Sequence, residues 1–324
     1  MSVNAIIDAI RKHDRFLITS HVNPEADALG SQLAMYELIK SLGKEAFCVH
    51  SDKVPAHYKF LPGAENIKRT VKKGFNFDAV VALDCPTAKR TGRIKQFFKK
   101  AKIVINIDHH VSNTKFGDVN WVSPAASSCG EMVYTLYKKM GVAIGKKSAL
   151  YIYIAILTDT GSFNYSNTSG VTHEIVSDLL GYGLKPHDIS RDIYENKTVS
   201  EVKLLGKVIA TLKTDTSGKI ALIICTKKML KDAKSGSHAT ENFINYARSI
   251  KLVDIAVFIK EDLKKRKAFH VSFRSKGSVD VNAIANFFGG GGHRNASGCT
   301  ICGTLADVKR KILEKAKEAI GNKK

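Results

Sequence analysis

The stretch from Ile103 to His110, with the sequence IVINIDHH, joins an apolar run to three groups that can hold or serve a metal ion. A run of β-branched residues that ends in Asp-His-His is typical of a buried parallel strand whose carboxyl end opens into a site. Adjacent residues on a regular strand point to opposite faces. We therefore expect Asp108, His109 and His110 to lie on the loop at the strand tip. Taken alone, the same three residues also fit a surface turn.

Length and composition predict an ordinary globular protein. The chain has 324 residues, which suggests two domains, and its hydrophobic and charged contents are 44% and 25%. No apolar run reaches transmembrane length, and charges follow the first helical residues at once, unlike a secretory signal. The six cysteines have no disulfide-framework spacing, so we expect reduced thiols. Together these features predict a cytoplasmic protein that does not interact with a membrane.

The charge balance favours an anionic substrate or partner. Fifty-one Lys and Arg residues against 30 Asp and Glu residues give a net charge of +21, which raises the local concentration of polyanions. The basic residues are dispersed along the chain, as on a solvated surface, so the charge alone does not identify the anion.

Alternating strand and helix patterns predict an α/β fold. Apolar strand runs occupy 16–20, 46–49 and 78–83, followed by the run that starts at Ile103. Helical periods occupy 2–13, 28–42, 127–140, 149–157 and 173–180. This order predicts a parallel sheet with helices on both faces in a domain of residues 1–186.

The second half of the chain predicts a smaller α/β domain. Residues 187–206 are polar and helix-prone, and we interpret them as a helical linker to a domain of residues 207–324. Ser217-Gly218 separates strand-like runs at 209–212 and 220–225, which indicates a hairpin. Further strands are expected at 252–259, 269–273 and 298–302, followed by a basic helix at 305–320.

Carboxylates and imidazoles collect at the ends of the predicted strands and helices of the first domain. They are His21, Glu25 and Asp27; Asp84; Asp108, His109 and His110; and Asp159. Unpaired buried carboxylates are costly, and metal ions neutralise them. This mixture of ligands suits Mn²⁺ or another first-row divalent ion. Two ions about 3.5 to 4 Å apart would share a bridging carboxylate, and Asp84 is the candidate bridge.

Five ordered motifs carry a family resemblance. They are HVNPEADALGS at 21–31, LDC at 83–85, DHH at 108–110, LTDTG at 157–161 and GGGGHRNASG at 289–298. The first four resemble the motifs of the DHH phosphoesterase superfamily, and the fifth resembles the signature of its DHHA1 domain. The chain is most similar to the subfamily of nanoRNases that also act on 3′-phosphoadenosine 5′-phosphate.

The resemblance implies a role for each matched residue of the first domain. One ion would be held by His21, Glu25, Asp84 and Asp159, and the other by Asp27, Asp84, His109 and Asp159. Asp108 would orient a histidine, as residues behind metal ligands usually do, and His110 would contact the scissile phosphate. Glu25 departs from the family, which more commonly has Asp at that position, and its extra methylene puts the geometry of that ligand in doubt.

The glycine-rich run predicts a phosphate or nucleotide clamp in the second domain. Consecutive glycines such as Gly290 and Gly291 let backbone amides approach an anion without a Cβ clash. His293 and Arg294 follow the run, and Arg274 ends the preceding strand. A flexible loop would look similar, but the DHHA1 resemblance implies a substrate role for Arg274 and His293.

The expected function is therefore two-metal phosphoester hydrolysis. The substrates would be short RNA or DNA oligonucleotides, cut to nucleoside 5′-monophosphates, or a nucleotide bisphosphate, 3′-phosphoadenosine 5′-phosphate, cut to AMP. Alternatives are a cyclic- or linear-dinucleotide phosphodiesterase, an inorganic pyrophosphatase, and a noncatalytic nucleic-acid-binding protein. The glycine-rich motif counts against a pyrophosphatase, and the retained ligands count against a noncatalytic protein. The sequence leaves open whether the chain acts as a monomer or a homodimer.

Overall fold

The computed structural model describes residues 3–71, 74–240, 242–277 and 279–321. Contacts divide the chain into two compact units, Met1–Asn196 and Lys197–Lys324, which we call the N-terminal and C-terminal units. The division falls inside the segment 187–206 that the sequence indicates as a linker. Helices on either side of the division pack into their own units, since Ile189 is buried in one core and Leu204 in another. The domain boundaries at 186 and 207 stay predictions.

The N-terminal unit contains a parallel sheet, as predicted, and this sheet has five strands. Its strands are β1 (Arg15–Thr19), β2 (Glu45–Cys48), β3 (Ala79–Leu83), β4 (Ile103–Asp108) and β5 (Val119–Val122). They lie in the order β2-β1-β3-β4-β5, and each neighbouring pair is parallel. β5 was not predicted, because its four residues have no long apolar run. The parallel arrangement places the carboxyl ends of β1, β3 and β4 along one edge.

Both faces of this sheet are covered. The helices of the unit are α1 (Val3–Lys12), α2 (Ala26–Ser41), α3 (Cys129–Met140), α4 (Lys146–Asp159), α5 (Gly170–Leu180) and α6 (Pro186–Tyr194), with short 3₁₀ helices at Ala56–Tyr58 and Ala64–Asn66. Phe16 and Ile18 of β1 join the large core under these helices, whereas Leu17 between them points to the opposite face. There it packs with Val80 and Ile94 under a 3₁₀ segment, Ala88–Lys100.

Two glycines let α2 and α3 pack against α4 so closely that no space remains for a Cβ atom at either position. A Cβ added at Gly30 of α2 would lie 2.5 Å from the carbonyl oxygen of Tyr151. A Cβ at Gly130 of α3 would lie 2.4 Å from the Cβ of Ala155. These contacts explain why α4 is buried nearly all round. They also fix α2 and α4, which carry Asp27 and Asp159.

Replacing Gly30 with Ala should destabilise the N-terminal unit. The added methyl group has no space against a backbone carbonyl, and overpacking of this kind costs about 1–3 kcal/mol. Urea unfolding followed by the fluorescence of Trp121, the single tryptophan of the chain, measures the loss. Gly170→Ala is the matched control, because no atom lies within 4 Å of a Cβ at that position. Equal unfolding midpoints for the two variants would contradict the packing described here.

The C-terminal unit contains a six-stranded mixed sheet. Its strands are β6 (Lys213–Thr214), β7 (Ile220–Cys225), β8 (Ile255–Glu261), β9 (Ala268–Ser275), β10 (Gly291–His293) and β11 (Ala296–Cys302), in the order β10-β11-β9-β8-β7-β6. Only the pairing of β7 with β8 is parallel within the described residues. The helices are α7 (Val199–Ile209), α8 (Lys227–Asp232), α9 (Phe243–Arg248), α10 (Val281–Phe287) and α11 (Leu305–Gly321), with a 3₁₀ helix at Ser237–Thr240.

The strand predicted at 209–212 is wrong. Residue 209 is the last residue of α7, and β6 is a short strand at 213–214. A capping box starts α7: the Thr198 hydroxyl accepts from the Glu201 amide, and the Glu201 carboxylate accepts from the Thr198 amide at 2.7 Å. The helix then buries Leu204 and Val208. The hairpin predicted around residues 217–218 joins β6 and β7.

No helix in the described ranges has both the length and the apolar composition required to cross a bilayer.

Candidate metal centre

Six of the seven residues that the sequence places at strand and helix ends around Asp84 meet at the carboxyl edge of the parallel sheet. Asp84 follows β3, and His109 and His110 follow β4. Asp108 is the last residue of β4, where it pairs with Val122, and is not on the loop as predicted. The pairing with the unpredicted β5 extends the strand by this one residue. Asp159 is likewise the last residue of α4, not a residue beyond it.

Asp84 is the residue that the imidazoles surround. Its Oδ2 lies 3.2 Å from Nε2 of His21, and its Oδ1 lies 3.6 Å from Nε2 of His109 and 3.5 Å from Nδ1 of His110. Its backbone is left-handed, with φ of 52°, a conformation that Asp and Asn tolerate better than other residues with a side chain. Oδ1 is buried and makes no hydrogen bond within the described part of the chain. A bound cation would satisfy this oxygen.

His109 faces three carboxylates. Its Nε2 lies 3.7 Å from Asp27 Oδ2 and 3.6 Å from Asp159 Oδ2, in addition to Asp84. Its Nδ1 lies 3.2 Å from the carbonyl oxygen of Ala126, which can only accept. Nδ1 therefore donates to this carbonyl, and Nε2 faces the carboxylates, where it can bind a metal ion. Ligand atoms around one divalent ion at about 2.0–2.2 Å lie about 3–4 Å apart, which these distances match.

His21 has the same arrangement at the end of β1. Its Nδ1 lies 2.8 Å from the carbonyl oxygen of Val22, so its Nε2 is directed to Asp84. The carbonyl oxygen of His21 itself lies 2.7 Å from Nε2 of buried His50. His50 was not predicted as part of the site, because it is a lone histidine with no neighbouring ligand in the sequence.

Asp27 is held by the amino terminus of α3. Its Oδ2 accepts from the amide of Cys129 at 2.8 Å, and its Oδ1 accepts from the amide of Gly130 at 3.0 Å and from the Ser31 hydroxyl at 2.8 Å. The positive end of a helix stabilises a carboxylate at this position. The backbone amides of residues 129 and 130 are therefore part of the site, although no side-chain pattern could reveal them.

Burial and neighbouring charges shift the pKa values of these groups. Burial, with the nearby charges of Asp84 and Asp159, raises the pKa of Asp27 well above its usual range. Partial burial raises the pKa of Asp159 to about 6. Burial alone would lower the pKa of His109, but Asp159, Asp84 and Asp27 raise it well above its ordinary value. The cluster thus requires positive charge, which protonated imidazoles or bound cations can supply.

Asp108 contacts His110. Its Oδ1 lies 2.8 Å from Nδ1 of His110, and its Oδ2 accepts from the Asn113 amide group. Asp108 is fully buried, whereas His110 is half-buried. A carboxylate on Nδ1 fixes the orientation of the ring. Asn113 was missed, because an Asn in a loop has no distinguishing pattern.

The ligand atoms form two compact groups in this unit. Those of Asp27, His109 and Asp159 lie within 4.8 Å of one another, and so do those of Asp84, Asp108 and His110. Glu25 belongs to neither group. It is exposed at the amino terminus of α2, and its side chain makes no capping hydrogen bond. Its assignment as a ligand stays a prediction.

In the C-terminal unit, strand register places Arg274 and His293 in one row. Arg274 of β9 pairs with Ala296 of β11, which in turn pairs with His293 of β10. Directly paired residues share a face of the sheet, so the two side chains stand on the same face with a small alanine between them. Arg294 is exposed, and its carbonyl oxygen accepts from the amide of Val281.

The glycine-rich run has a packing reason of its own. A Cβ at Gly290 would lie 2.1 Å from the carbonyl oxygen of Gly298, and one at Gly292 would lie 2.5 Å from that of Ala296. Gly292 also has φ of +147°, which strongly favours glycine. A Cβ at Gly291 would meet only distant side-chain atoms, at 3.5 and 4.0 Å. Close pairing with β11 thus requires two of these glycines whether or not an anion binds.

Comparisons with known proteins agree with these two units. The model of the DHH family, N-terminal domain, matches residues 15–156, and that of the DHHA1 domain matches residues 224–322. The bifunctional oligoribonuclease and PAP phosphatase NrnA of Thermus thermophilus is 32% identical over 304 residues, which cover 94% of this chain and 89% of that protein. The chain belongs to the DHH family. Its NrnA relative from Bacillus subtilis is 28% identical and covers 91% of this chain and 92% of that protein.

A solved structure has a similar fold. The crystal structure of an exopolyphosphatase-related protein from Bacteroides fragilis is 29% identical, covers 97% of this chain and 95% of that chain, and has a TM-score of 0.88. The protein is therefore a metal-dependent hydrolase of the DHH phosphoesterase family. The buried carboxylates, the imidazoles with protons on Nδ1 and the unsatisfied oxygen of Asp84 fit a metal centre.

Asp84→Asn should abolish phosphoester hydrolysis while the fold is retained. Asparagine keeps the shape and tolerates the left-handed backbone, but it removes the charge that both ions would share. Metal analysis after dialysis should show fewer bound ions per chain. Asp8→Asn, the same change at an exposed position of α1, should leave metal content and activity unchanged. Normal turnover in Asp84→Asn would exclude Asp84 as a bridging ligand.

Glu25→Gln tests the exposed acid. If Glu25 is a ligand, this variant should need a several-fold higher metal concentration for half-maximal activity, whereas Glu25→Asp should retain most activity because it keeps a carboxylate. The measurement is a metal titration of initial rates. Identical titrations for Glu25→Gln and the parent would show that the acid does not bind metal.

Proposed function

We propose that this DHH-family protein hydrolyses short oligonucleotides to nucleoside 5′-monophosphates and 3′-phosphoadenosine 5′-phosphate to AMP. The observation that carries the proposal is the arrangement around Asp84, whose two carboxylate oxygens face His21 on one side and His109 and His110 on the other. The relatives named bifunctional oligoribonuclease and PAP phosphatase, aligned over most of the chain, support these substrates.

We assign two Mn²⁺ ions to the N-terminal unit. His21, Glu25, Asp84 and Asp159 would hold one ion, and Asp27, Asp84, His109 and Asp159 would hold the other. Carboxylates with imidazoles suit Mn²⁺ better than metals that prefer thiolates. When bound, such ions lower the pKa of a coordinated water and neutralise phosphoryl oxygens.

The protein's own groups would position the substrate. Nδ1 of His110 donates a hydrogen bond to Asp108. This bond holds the imidazole ring so that Nε2 can contact the scissile phosphate. In the C-terminal unit, Arg274 and His293 would bind a substrate phosphate or nucleotide end, with Arg294 and the amides of Gly290 and Gly291 as further donors. Charged donors in a fixed row are suited to phosphate recognition. The N-terminal unit would thus supply the hydrolytic groups, and the C-terminal unit would supply phosphate-binding groups.

A cytoplasmic location is part of the proposal. All six cysteines are free thiols, and five of them are buried. Chains that carry several unpaired cysteines are typical of reducing compartments.

A substrate panel tests the proposal against its alternatives. We expect dinucleotides and other short oligomers to be hydrolysed faster than long strands, and pyrophosphate to be a poor substrate because it offers no nucleoside to hold. Product analysis on 5′-labelled oligomers, 3′-phosphoadenosine 5′-phosphate, a cyclic dinucleotide and pyrophosphate with Mn²⁺ gives the answer. Preference for pyrophosphate, or absence of hydrolysis on every substrate, would refute the proposed function.

Arg274→Ala should lower kcat/KM on dinucleotides about tenfold to a hundredfold, since a charge-assisted contact contributes about 1.5–3 kcal/mol. Bound metal should be unchanged, because this side chain lies in the other unit. Arg266→Ala removes the same charge from an exposed turn of the same unit and should change kcat/KM less than twofold. Parent-like cleavage by Arg274→Ala would remove Arg274 from the substrate site.

A further inference from the structure

A basic segment runs across one face of the N-terminal sheet. Residues 88–102 contain seven Lys and Arg residues and no Asp or Glu. Within the described residues, only Lys102 of this segment has a carboxylate partner, Asp78, at 3.0 Å. Lys95, Lys99 and Lys100 are exposed. Uncompensated positive charge of this density attracts polyanions.

This segment connects the metal centre to the opposite edge of the sheet. Near its start, the carbonyl oxygen of Arg90 accepts from the amide of Val22, the residue that follows His21. At its end, the Lys102 amide donates to Asp78, which precedes β3. β3 has five residues, so the segment spans about 16 Å at about 3.3 Å per strand residue.

An aromatic pocket lies at the far end of the basic segment. Its volume is about 310 Å³, and it is lined by Val71, Phe75, Asn76, Phe77, Phe97 and Lys100. The rings of Phe75 and Phe77 have centroids 6.5 Å apart, and Phe77 meets the edge of Phe97 at 6.2 Å. The Lys100 ammonium lies 5.8 Å from the centroid of Phe97. All three phenylalanine rings are half-buried, so part of each is accessible.

Phenylalanine rings beside lysines are the combination that binds single-stranded nucleic acid, because bases stack on the rings and phosphates meet the charges. An acidic protein segment would use the lysines but would leave the aromatic pocket without a planar partner. We propose that residues 88–102 with Phe75, Phe77 and Phe97 form a second binding surface, for single-stranded oligonucleotides. A base would stack in the pocket while backbone phosphates lie along the segment toward the metal centre.

This second binding surface requires a minimum oligonucleotide length. At a stacked rise of about 3.4 Å per nucleotide, about five nucleotides are needed to reach from the metal centre to the pocket. A dinucleotide cannot touch both. The inference rests on the proposed oligonucleotide substrate and extends it, since the added contacts would act only on oligomers of about five nucleotides or more.

The test compares two labelled probes, a dinucleotide and an eight-nucleotide single strand of mixed sequence. Fluorescence anisotropy with the full-length Asp84→Asn protein at low salt gives the dissociation constants without hydrolysis. Adding Lys99→Glu and Lys100→Glu should raise the dissociation constant of the octamer about tenfold, and should flatten the dependence of log K on log salt by about 1.4, since each lost phosphate contact removes about 0.7. The dinucleotide should bind as before.

Two further variants separate charge, stacking and folding. Lys146→Glu with Lys147→Glu makes the same charge change at the exposed start of α4 and should leave octamer binding within twofold. Phe97→Leu keeps an apolar side chain but removes the ring, and should raise the octamer dissociation constant about fivefold or more. Urea midpoints from Trp121 fluorescence should match the parent in each case.

Equal affinity of the parent for both probes, equal losses in the two lysine pairs, or parent-like octamer binding by Phe97→Leu would overturn the inference. These failures are distinguishable from failure of the proposed function. In the protein that retains Asp84, the Lys99→Glu, Lys100→Glu variant should hydrolyse the dinucleotide at the parent rate if the catalytic proposal is right. Lack of dinucleotide hydrolysis in the parent would instead refute the catalytic proposal.

Discussion

Repulsion among four carboxylates at one edge of a parallel sheet is the constraint on which the N-terminal unit depends. Asp27, Asp84, Asp108 and Asp159 lie close together in surroundings where charges are poorly screened. Different neighbouring groups offset the negative charge of each carboxylate. Backbone amides at the start of α3 hold Asp27, imidazoles face Asp84, a histidine and an asparagine hold Asp108, and Asp159 faces His109. The fold therefore tolerates a charge density that an unsupported cluster could not.

The side chains of this cluster were predictable from the sequence, because apolar strands and a buried helix end at them. In a parallel sheet, strand ends of one polarity must share an edge, so separate motifs become neighbours. The supporting groups were not predictable. The carbonyl oxygen of Ala126 and the amides of Cys129 and Gly130 are backbone atoms, which any residue supplies. His50 and Asn113 contribute side chains, but their neighbours in the sequence do not identify them.

Errors in the predicted elements have physical causes too. Residues 209–212 combine β-branched and apolar side chains, which favours a strand locally. The capping box of Thr198 and Glu201 starts a helix upstream, and burial of Leu204 and Val208 propagates it through residue 209. In the glycine-rich run, the sequence suggested anion binding, whereas the structure adds a requirement for close strand pairing at Gly290 and Gly292. The conformational requirement at these two glycines holds whether or not the run binds an anion.

The contacts of Gly30 and Gly130 with α4 have a consequence for motion. They pack α2, α3 and α4 tightly into one block. α2 carries Asp27, the amides of α3 hold Asp27, and α4 ends at Asp159. Movement of Asp27 relative to Asp159 would therefore disturb the packing of all three helices. An ion held by Asp27 and Asp159 would bind the folded block and not the unfolded chain, so its binding would stabilise the packing around α4. Ion binding and hydrogen exchange of amides in the middle of α4 are therefore thermodynamically linked, although these amides contact no ligand.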